Sequence, residues 1–200
     1  MTDQKRQYLM KRRAEAEQRT RLHITRSTVL LHGTLGPSRT SISAIARHAG
    51  VRRSTVYRHF PDEASLFFAC TSHWTAANPF PDVARWMAID NPAARLTAAL
   101  REVYAHYRRT ERMMSNILRD EATMPILGRM LGGYRDSLTA ARDTLMSGRG
   151  VRGPARRRVQ AAVGHALTFG TWRSLAREQG LTDSQASGLM GRLIAAAARR

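Results

Sequence analysis

Cysteine is nearly absent from this chain of 200 residues, which contains only Cys70. A single cysteine can form no intrachain disulfide and can build no cysteine-based zinc site. Long apolar runs are lacking too, and the weakly charged stretch at residues 159–172 is too short to cross a bilayer. The polar N-terminus lacks the apolar core of a secretory signal. We therefore expect a cytoplasmic protein that has no membrane partner.

Acidic residues are scarce, since 33 lysines and arginines stand against 15 aspartates and glutamates and give a net charge of +18. A field of this sign attracts polyanions such as nucleic acids. Arginine dominates, and its planar guanidinium suits bidentate contacts to phosphate or guanine. The same composition is also typical of a GC-rich genome. Because the charge is spread over both halves of the chain, it does not locate a binding site.

Enzyme motifs are lacking as well. The sequence contains no His-Glu-x-x-His run, nucleophile elbow or phosphate loop, and no glycine-rich turn follows a predicted strand as a dinucleotide fingerprint requires. We expect neither catalysis nor a metal nor a cofactor. Cys70 is interpreted as a small buried hydrophobe, with a thiol redox switch as the alternative.

The periodicity of the apolar residues is helical throughout, and strand-like alternation is nearly absent, so the predicted fold class is all-α. The N-terminal helices should include one with a core-facing set formed by Leu22, Ile24, Val29, Leu30 and Leu31. The proline-rich segment 78–91 reads as a linker with at most one helical turn. The helices expected after it cover about 92–107, 111–120, 125–145, 155–178 and 183–198.

Residues 41–60 contain the most informative pattern. Two helices too short to be stable alone meet at Gly50, which supplies the positive φ that a sharp helix crossing needs. Their apolar residues should pack together and leave a polar, basic face on the second helix. The residues on that face are Arg52, Arg53, Ser54, Thr55, Tyr57, Arg58 and His59. Such side chains can donate to phosphates and base edges in a major groove, so the pattern predicts a DNA-binding helix-turn-helix.

This stretch resembles the tetracycline-repressor (TetR) family of bacterial transcription regulators. The matching residues are Thr40-Ser41, Ile45-Ala46, Ala49-Gly50-Val51, Thr55, Val56-Tyr57, His59-Phe60 and Leu66. The resemblance implies a DNA-binding domain at residues 1–70 and an effector-binding, dimerising helical bundle at 71–200. It also implies a homodimer that binds a palindromic operator and releases it when a small molecule binds.

Position by position, the resemblance assigns base reading to Arg53, Ser54 and Tyr57. It assigns phosphate contacts to Ser41, Thr55, Tyr57 and His59, and it places Ser43 where the first helix can touch DNA. Two departures stand out: Arg52 replaces the serine that usually caps the second helix, and Glu63 replaces a common phosphate-binding lysine. Lys11, Arg12 and Arg13 could compensate as an arm in the adjacent minor groove of the DNA, or they could belong to a solvated tail.

The C-terminal part offers a dimer surface and candidate ligand contacts. The helix over 155–178 is apolar on most faces, so we expect it to pack, with the last helix, against the same helices of a second protomer. Met and aromatic residues suit a cavity for a small hydrophobic or aromatic effector, although any of them could be ordinary core. The candidates are Trp86, Tyr104, Tyr107, Met113, Met114, Ile117, Met130, Tyr134, Phe169 and Trp172.

The sequence therefore favours a ligand-responsive, operator-binding regulator that acts as a repressor. The alternative is an effector-independent architectural or auxiliary DNA-binding protein that exploits the positive charge. A third reading, from another class, is a helical-bundle enzyme or small-molecule carrier with a vestigial helix-turn-helix.

Overall fold

A computed structural model describes residues 3–199, with every side chain in that range except that of Asp3. All regular elements in this range are helical, which confirms the all-α prediction. They are α1 (Asp3–Thr34), a 3₁₀ turn (Pro37–Arg39), α2 (Ile42–His48), α3 (Arg53–His59), α4 (Glu63–Ala77), α5 (Val83–Met87), α6 (Pro92–Asp120), α7 (Pro125–Met130), α8 (Gly132–Met146), α9 (Gly153–Ala166), α10 (Phe169–Arg173), a π turn (Ser174–Glu178) and α11 (Asp183–Ala197).

The chain divides into two compact units. The first unit contains the chain up to Ala77 together with Ser115–Met130, and the second contains Asn78–Met114 together with the chain from Leu131 onward. The first unit is therefore discontinuous in sequence, because the end of α6 and all of α7 belong to it.

The core of the first unit joins α1, α2, α3 and α4. Its buried residues are Ile24, Ile45, Ala46, Ala49, Val56, Phe60, Leu66 and Cys70. A second cluster packs Phe67 of α4 against Ile126 and Leu127 of α7. The end of α6 contributes polar contacts, since Asn116 Nδ2 donates to the carbonyl oxygens of His32 and Gly33 at 3.0 Å each. Asp120 Oδ2 accepts from the Ser38 backbone N–H at 3.0 Å.

The buried face of α1 differs from the sequence expectation. Leu22 and Leu30 are 39% and 50% exposed, whereas Thr25 and Thr28 are buried. The two threonine hydroxyls donate to carbonyl oxygens one turn earlier in α1, at 3.0 and 2.9 Å. Because these hydroxyls are satisfied within the helix, the polar residues can face the core without a partner across the interface.

Three predicted helix boundaries were wrong. The helices expected at 92–107 and 111–120 are one continuous helix, α6. The helix expected over 125–145 is broken at Leu131 into α7 and α8, and the helix expected over 155–178 is broken at residues 167–168. At the second break, the Thr168 side chain accepts from the Thr171 backbone N–H and so caps a new helix, α10.

The second unit is a helical bundle in which α9 packs against both α8 and α11. Arg95 is only 5% exposed there. Its guanidinium donates to the carbonyl oxygens of Ile89, Thr144 and Ser147 at 2.9–3.3 Å. A buried arginine thus satisfies free carbonyl groups at the end of α8.

Candidate nucleic-acid interface

The turn between α2 and α3 is fixed by its backbone hydrogen bonds. Gly50 has φ of 61°, and its N–H donates to the Arg47 carbonyl oxygen at 3.2 Å. The Val51 N–H donates to the Ala46 carbonyl oxygen at 2.9 Å. These two bonds form a Schellman motif, in which a left-handed residue closes the helix end. The glycine at this turn therefore has the conformation that the sequence predicted.

The start of α2 is capped by Ser41, whose Oγ accepts from the Ala44 backbone N–H at 3.1 Å. Its hydroxyl hydrogen remains available to donate to a phosphate. Ser43 lies exposed on the first turn of α2. Arg52 is the N-cap residue of α3 and makes no side-chain capping bond, as expected from the missing serine.

The outer face of α3 is exposed and basic. The exposed residues are Arg52, Arg53, Ser54, Tyr57 and Arg58, and Thr55 is half-buried beside them. Val56, on the opposite side of α3, is completely buried. Residues 41–60 contain four arginines and no carboxylate, so nothing within this segment repels a polyanion. Five of the seven residues predicted on this face thus share one accessible surface.

His59 is placed differently from its neighbours, because its side chain is only 6% exposed. Its Nε2 is buried without a hydrogen-bond partner. Burial, followed by the charge of Arg58, lowers its pKa. Because its side chain is buried, His59 is a weaker candidate for a phosphate contact than the exposed residues of α3.

The C-terminal end of α3 is tied to α1 by Arg21. The Arg21 guanidinium donates to the carbonyl oxygen of His59. It also lies 4.1 Å from the centroid of the Phe60 ring, within cation–π range. No local pattern in the sequence indicates this role of Arg21, because its partners lie 38 and 39 residues away. This arginine fixes the direction in which α3 presents its outer face.

The predicted arm residues Lys11, Arg12 and Arg13 all lie exposed on α1. Residues 3–19 are thus helical and continue directly into the packed part of α1. The Arg12 guanidinium lies 5.9 Å from the Tyr8 ring centroid, one turn earlier in α1.

Four of the predicted ligand residues meet in the second unit. Tyr107 stacks edge-on against Phe169 and lies 6.0 Å from Trp172 between ring centroids. The Tyr107 hydroxyl donates to the Leu167 carbonyl oxygen at 2.6 Å and lies 2.9 Å from the Tyr134 hydroxyl. Burial raises the pKa of Tyr107 well above its usual range. These aromatic residues form a packed cluster whose polar groups already have internal partners.

The remaining ligand candidates lie elsewhere. Tyr104 is buried and donates to the Ala166 carbonyl oxygen at 3.0 Å, and the Trp86 Nε1–H donates to Glu102 at 3.0 Å. Met113 and Met114 are also buried. Ile117 and Met130 pack in the first unit, against the Phe67 cluster.

Two further residues of the second unit, Phe80 and Asp183, contact the aromatic cluster although the sequence did not suggest them. Phe80 stacks edge-on against His106 and Tyr134, with centroid distances of 5.5 and 6.4 Å. Asp183 accepts from the Trp172 Nε1–H at 2.9 Å and pairs with Arg108 at 2.7 Å. Phe80 was overlooked because it lies in the proline-rich segment interpreted as a linker.

A cleft of about 590 Å³ in the second unit lies at the glycine-rich loop between α8 and α9. Arg149, Arg152 and Arg156 line it, together with Asp143 and Met146. None of the predicted ligand residues takes part in this cleft.

Across residues 3–199, no group of three or more His, Cys, Asp or Glu side chains is arranged to hold a metal ion. No helix in this part of the chain is both long enough and apolar enough to cross a membrane.

Part of the chain matches a known protein family. The model of the family described as "Bacterial regulatory proteins, tetR family" matches residues 24–70, which include the core of the first unit and all of α2 and α3. No curated protein matches the chain.

Several solved structures share the fold. A TetR-family transcriptional regulator from Mesorhizobium loti is 19% identical, with a TM-score of 0.60 over 90% of this chain and 96% of its own. A TetR-like regulator from Rhodococcus is 16% identical, with a TM-score of 0.60 over 88% and 93%. A TetR-family regulator from Streptomyces coelicolor is 17% identical, with a TM-score of 0.61 over 90% and 80%. Residues 24–70 therefore match the tetR family of bacterial regulatory proteins, and the chain has the fold of the TetR-family transcriptional regulators.

Proposed function

We propose that this protein is a ligand-responsive transcription regulator that binds a palindromic DNA operator as a homodimer and acts as a repressor in the bacterial cytoplasm. The observation that carries the proposal is the exposed, carboxylate-free outer face of α3 on a helix-turn-helix closed by Gly50. In it, residues 1–70 bind DNA, and residues 71–200 bind the effector and dimerise.

In the proposed complex, α3 lies in the major groove. Arg53, Ser54 and Tyr57 contact base edges, because they are the exposed polar residues of the first turns of α3. The sequence-independent contacts to phosphates come from Ser41, Ser43, Arg52, Thr55, Arg58, His59 and the group Lys11, Arg12 and Arg13.

The direct test is selection of bound sequences from a random duplex library at about 150 mM salt, which suppresses purely electrostatic binding. The regulator is expected to enrich a palindrome with half-sites about 10 bp apart, centre to centre. Tight binding at low salt without an enriched motif would instead identify an architectural factor that acts through the net charge of +18.

The proposed dimer forms through the last two helices expected from the sequence, at 155–178 and 183–198, which correspond to α9, α10 and α11. Leu193 of α11 is 51% exposed, and contact with a second protomer would bury this apolar side chain. Sedimentation at micromolar concentration tests this, and a purely monomeric protein would refute it.

For the effector, we propose a small hydrophobic or aromatic molecule that binds at the cluster of Tyr107, Tyr134, Phe169 and Trp172. Stacking surfaces and hydroxyl groups favour such a ligand. Binding has to displace the internal hydrogen bond between the Tyr107 and Tyr134 hydroxyls. Release of the selected duplex, measured across a panel of aromatic compounds, tests the assignment, and a Tyr134→Phe variant should change the response to any compound that replaces this bond.

A further inference from the structure

Residues 4–14 belong to the N-terminal part of α1, which precedes the buried part of that helix, and they are rich in basic side chains. Residues 4–14, here called the basic N-terminal segment, contain five lysines and arginines and no acidic residue. Residues 15–21 balance Glu15 and Glu17 against Arg19 and Arg21. All side chains of residues 4–19 are exposed. The segment thus has a charge of +5 at the exposed end of α1, with Asp3 as the acidic residue directly before it.

The segment is a continuation of a packed helix rather than a loose tail. α1 runs without interruption from Asp3 to Thr34, and its buried part begins at Ile24. Because the packed turns already supply the nucleus, extending the helix toward the N-terminus costs far less than starting a new one. Lys11 with Glu15 and Arg13 with Glu17 are spaced four residues apart, which favours helix.

The part of α1 that directly follows the segment is close to α3. Arg21 donates to the carbonyl oxygen of His59, and the charge of Glu17 acts on the His59 imidazole. At a rise of 1.5 Å per residue, Lys11, Arg12 and Arg13 lie about 12–15 Å along the helix axis from Arg21. The width of a major groove is about 12 Å. If α3 occupies the groove, the segment is long enough to reach the phosphates that border it.

The dimensions of the helix decide what the segment can contact. An α-helix with side chains is about 10–12 Å across, whereas the minor groove of B-DNA is about 6 Å wide. The intact helix therefore cannot enter the minor groove and can reach the phosphates outside it.

We propose that the basic N-terminal segment is a rigid arm that contacts DNA phosphates flanking the major groove occupied by α3. This inference rests on the proposed DNA-binding function. The arm adds affinity without sequence preference and extends the bound site beyond the bases read by α3. It also replaces the phosphate contact that Glu63, exposed at the start of α4, cannot make.

Salt dependence tests the contact. The variant K11Q/R12Q/R13Q removes three charges from the arm, and the control R152Q/R156Q/R157Q removes three from exposed positions of the second unit. Affinity for a 40-bp random-sequence duplex and for the selected duplex is measured by fluorescence anisotropy between 50 and 200 mM KCl. With about 0.9 logarithmic units per phosphate contact, the arm variant should lose up to about 2.7 units of slope per protomer. Over this range its affinity then falls less steeply than that of the unmodified protein, by about 40-fold for each protomer that contacts the DNA.

The control variant should keep a slope close to that of the unmodified protein. Equal losses in the two variants would mean that only overall charge matters, and no loss in the arm variant would mean that the segment stays in solvent. Either result overturns the proposal. If the library selection succeeds and the arm variant is unchanged, the regulator function stands and the arm alone fails. If the unmodified protein binds no duplex at 50 mM KCl, both fail.

A second pair of variants tests rigidity. Ala14→Pro keeps every charge and breaks the helix at the base of the segment, whereas Ala14→Gln preserves the helix. The proline variant should lose slope as the triple variant does, with a matching loss of helical circular dichroism, and the glutamine variant should not. An unchanged slope in Ala14→Pro would show a flexible tail and would overturn the rigid arm.

Pre-treatment of the duplex with netropsin, which fills the minor groove, should leave the contribution of the arm unchanged, and its loss would place the segment in that groove.

Discussion

Val56 and Tyr57 are neighbours on α3 and should respond in opposite ways to replacement by alanine. Val56 is fully buried, and Val56→Ala removes two methyl groups from the core of the first unit. At about 0.8 kcal/mol per buried carbon plus the cost of the cavity, the loss of stability should be about 2–3 kcal/mol. Tyr57 is 46% exposed, so Tyr57→Ala should change the free energy of unfolding by no more than about 0.5 kcal/mol.

Binding should show the reverse pattern. Tyr57→Ala removes a contact worth about 1–3 kcal/mol, so affinity for the selected duplex should fall roughly 5- to 150-fold. Thermal unfolding and fluorescence anisotropy measure the two quantities on the same samples. Val56→Ala should lower Tm by about 4–12 °C, yet it should bind DNA nearly normally at temperatures where it remains folded. Unchanged affinity in Tyr57→Ala, or a loss of stability matching that of Val56→Ala, would refute the assignment of the outer face of α3.

Three further predictions concern stability and reactivity. Burial lowers the pKa of His32 to about 4, against the opposing charge of Asp120; since an unfolded histidine titrates near 6.5, the resulting stability is complete above pH 6.5 and is lost as pH falls toward 4. Between pH 7 and pH 4, the free energy of unfolding measured with urea should therefore fall by up to about 3 kcal/mol less in His32→Leu than in the unmodified protein, and identical pH profiles would contradict this. Gly50→Ala should cost about 1 kcal/mol through its positive φ alone, because a Cβ there meets nothing within 4 Å, whereas the matched Gly133→Ala in α8 should cost nothing; equal urea midpoints would refute the strain. Burial raises the pKa of the Cys70 thiol to about 12, so iodoacetamide at pH 8 should label the native protein about 1,000-fold more slowly than the unfolded chain, and equal rates would show that the thiol is accessible.

The helix-turn-helix was predictable because its signals are local. Gly50 lies at a helix end where a positive φ is required, and Ser41 caps the helix before it. Asp62 accepts from the Ser65 backbone N–H at 2.7 Å at the start of the next helix. Each of these interactions spans only a few residues, so it can be recognised from the residue types and their spacing alone.

The buried face of α1 was not predictable in this way. Hydrophobicity placed Leu22 and Leu30 inside, whereas Thr25 and Thr28 are the residues that face the core. A threonine that bonds to the preceding turn presents its methyl group to its neighbours, and no pattern in the sequence indicates that its hydroxyl is already satisfied.

The same difficulty affects the candidate ligand site. The break after α9 depends on tertiary contacts, because Tyr104 and Tyr107 of α6 donate to the carbonyl oxygens of Ala166 and Leu167 at that point. These partners are 60 or more residues apart, so spacing along the chain does not indicate them. The sequence also did not indicate that Ile117 and Met130 pack in the first unit, apart from the aromatic candidates, which all lie in the second.

The discontinuity of the first unit has a consequence for synthesis of the protein. When Ala77 leaves the ribosome, Phe67 still lacks Ile126 and Leu127, and the end of α1 still lacks Asn116. At about 5–20 residues per second, the missing residues follow about 3–10 s later. During that interval the nascent helix-turn-helix can form its local hydrogen bonds, whereas Phe67 is not yet covered by α7. Completion of the first unit is thereby timed by translation of α6 and α7 rather than by translation of α3.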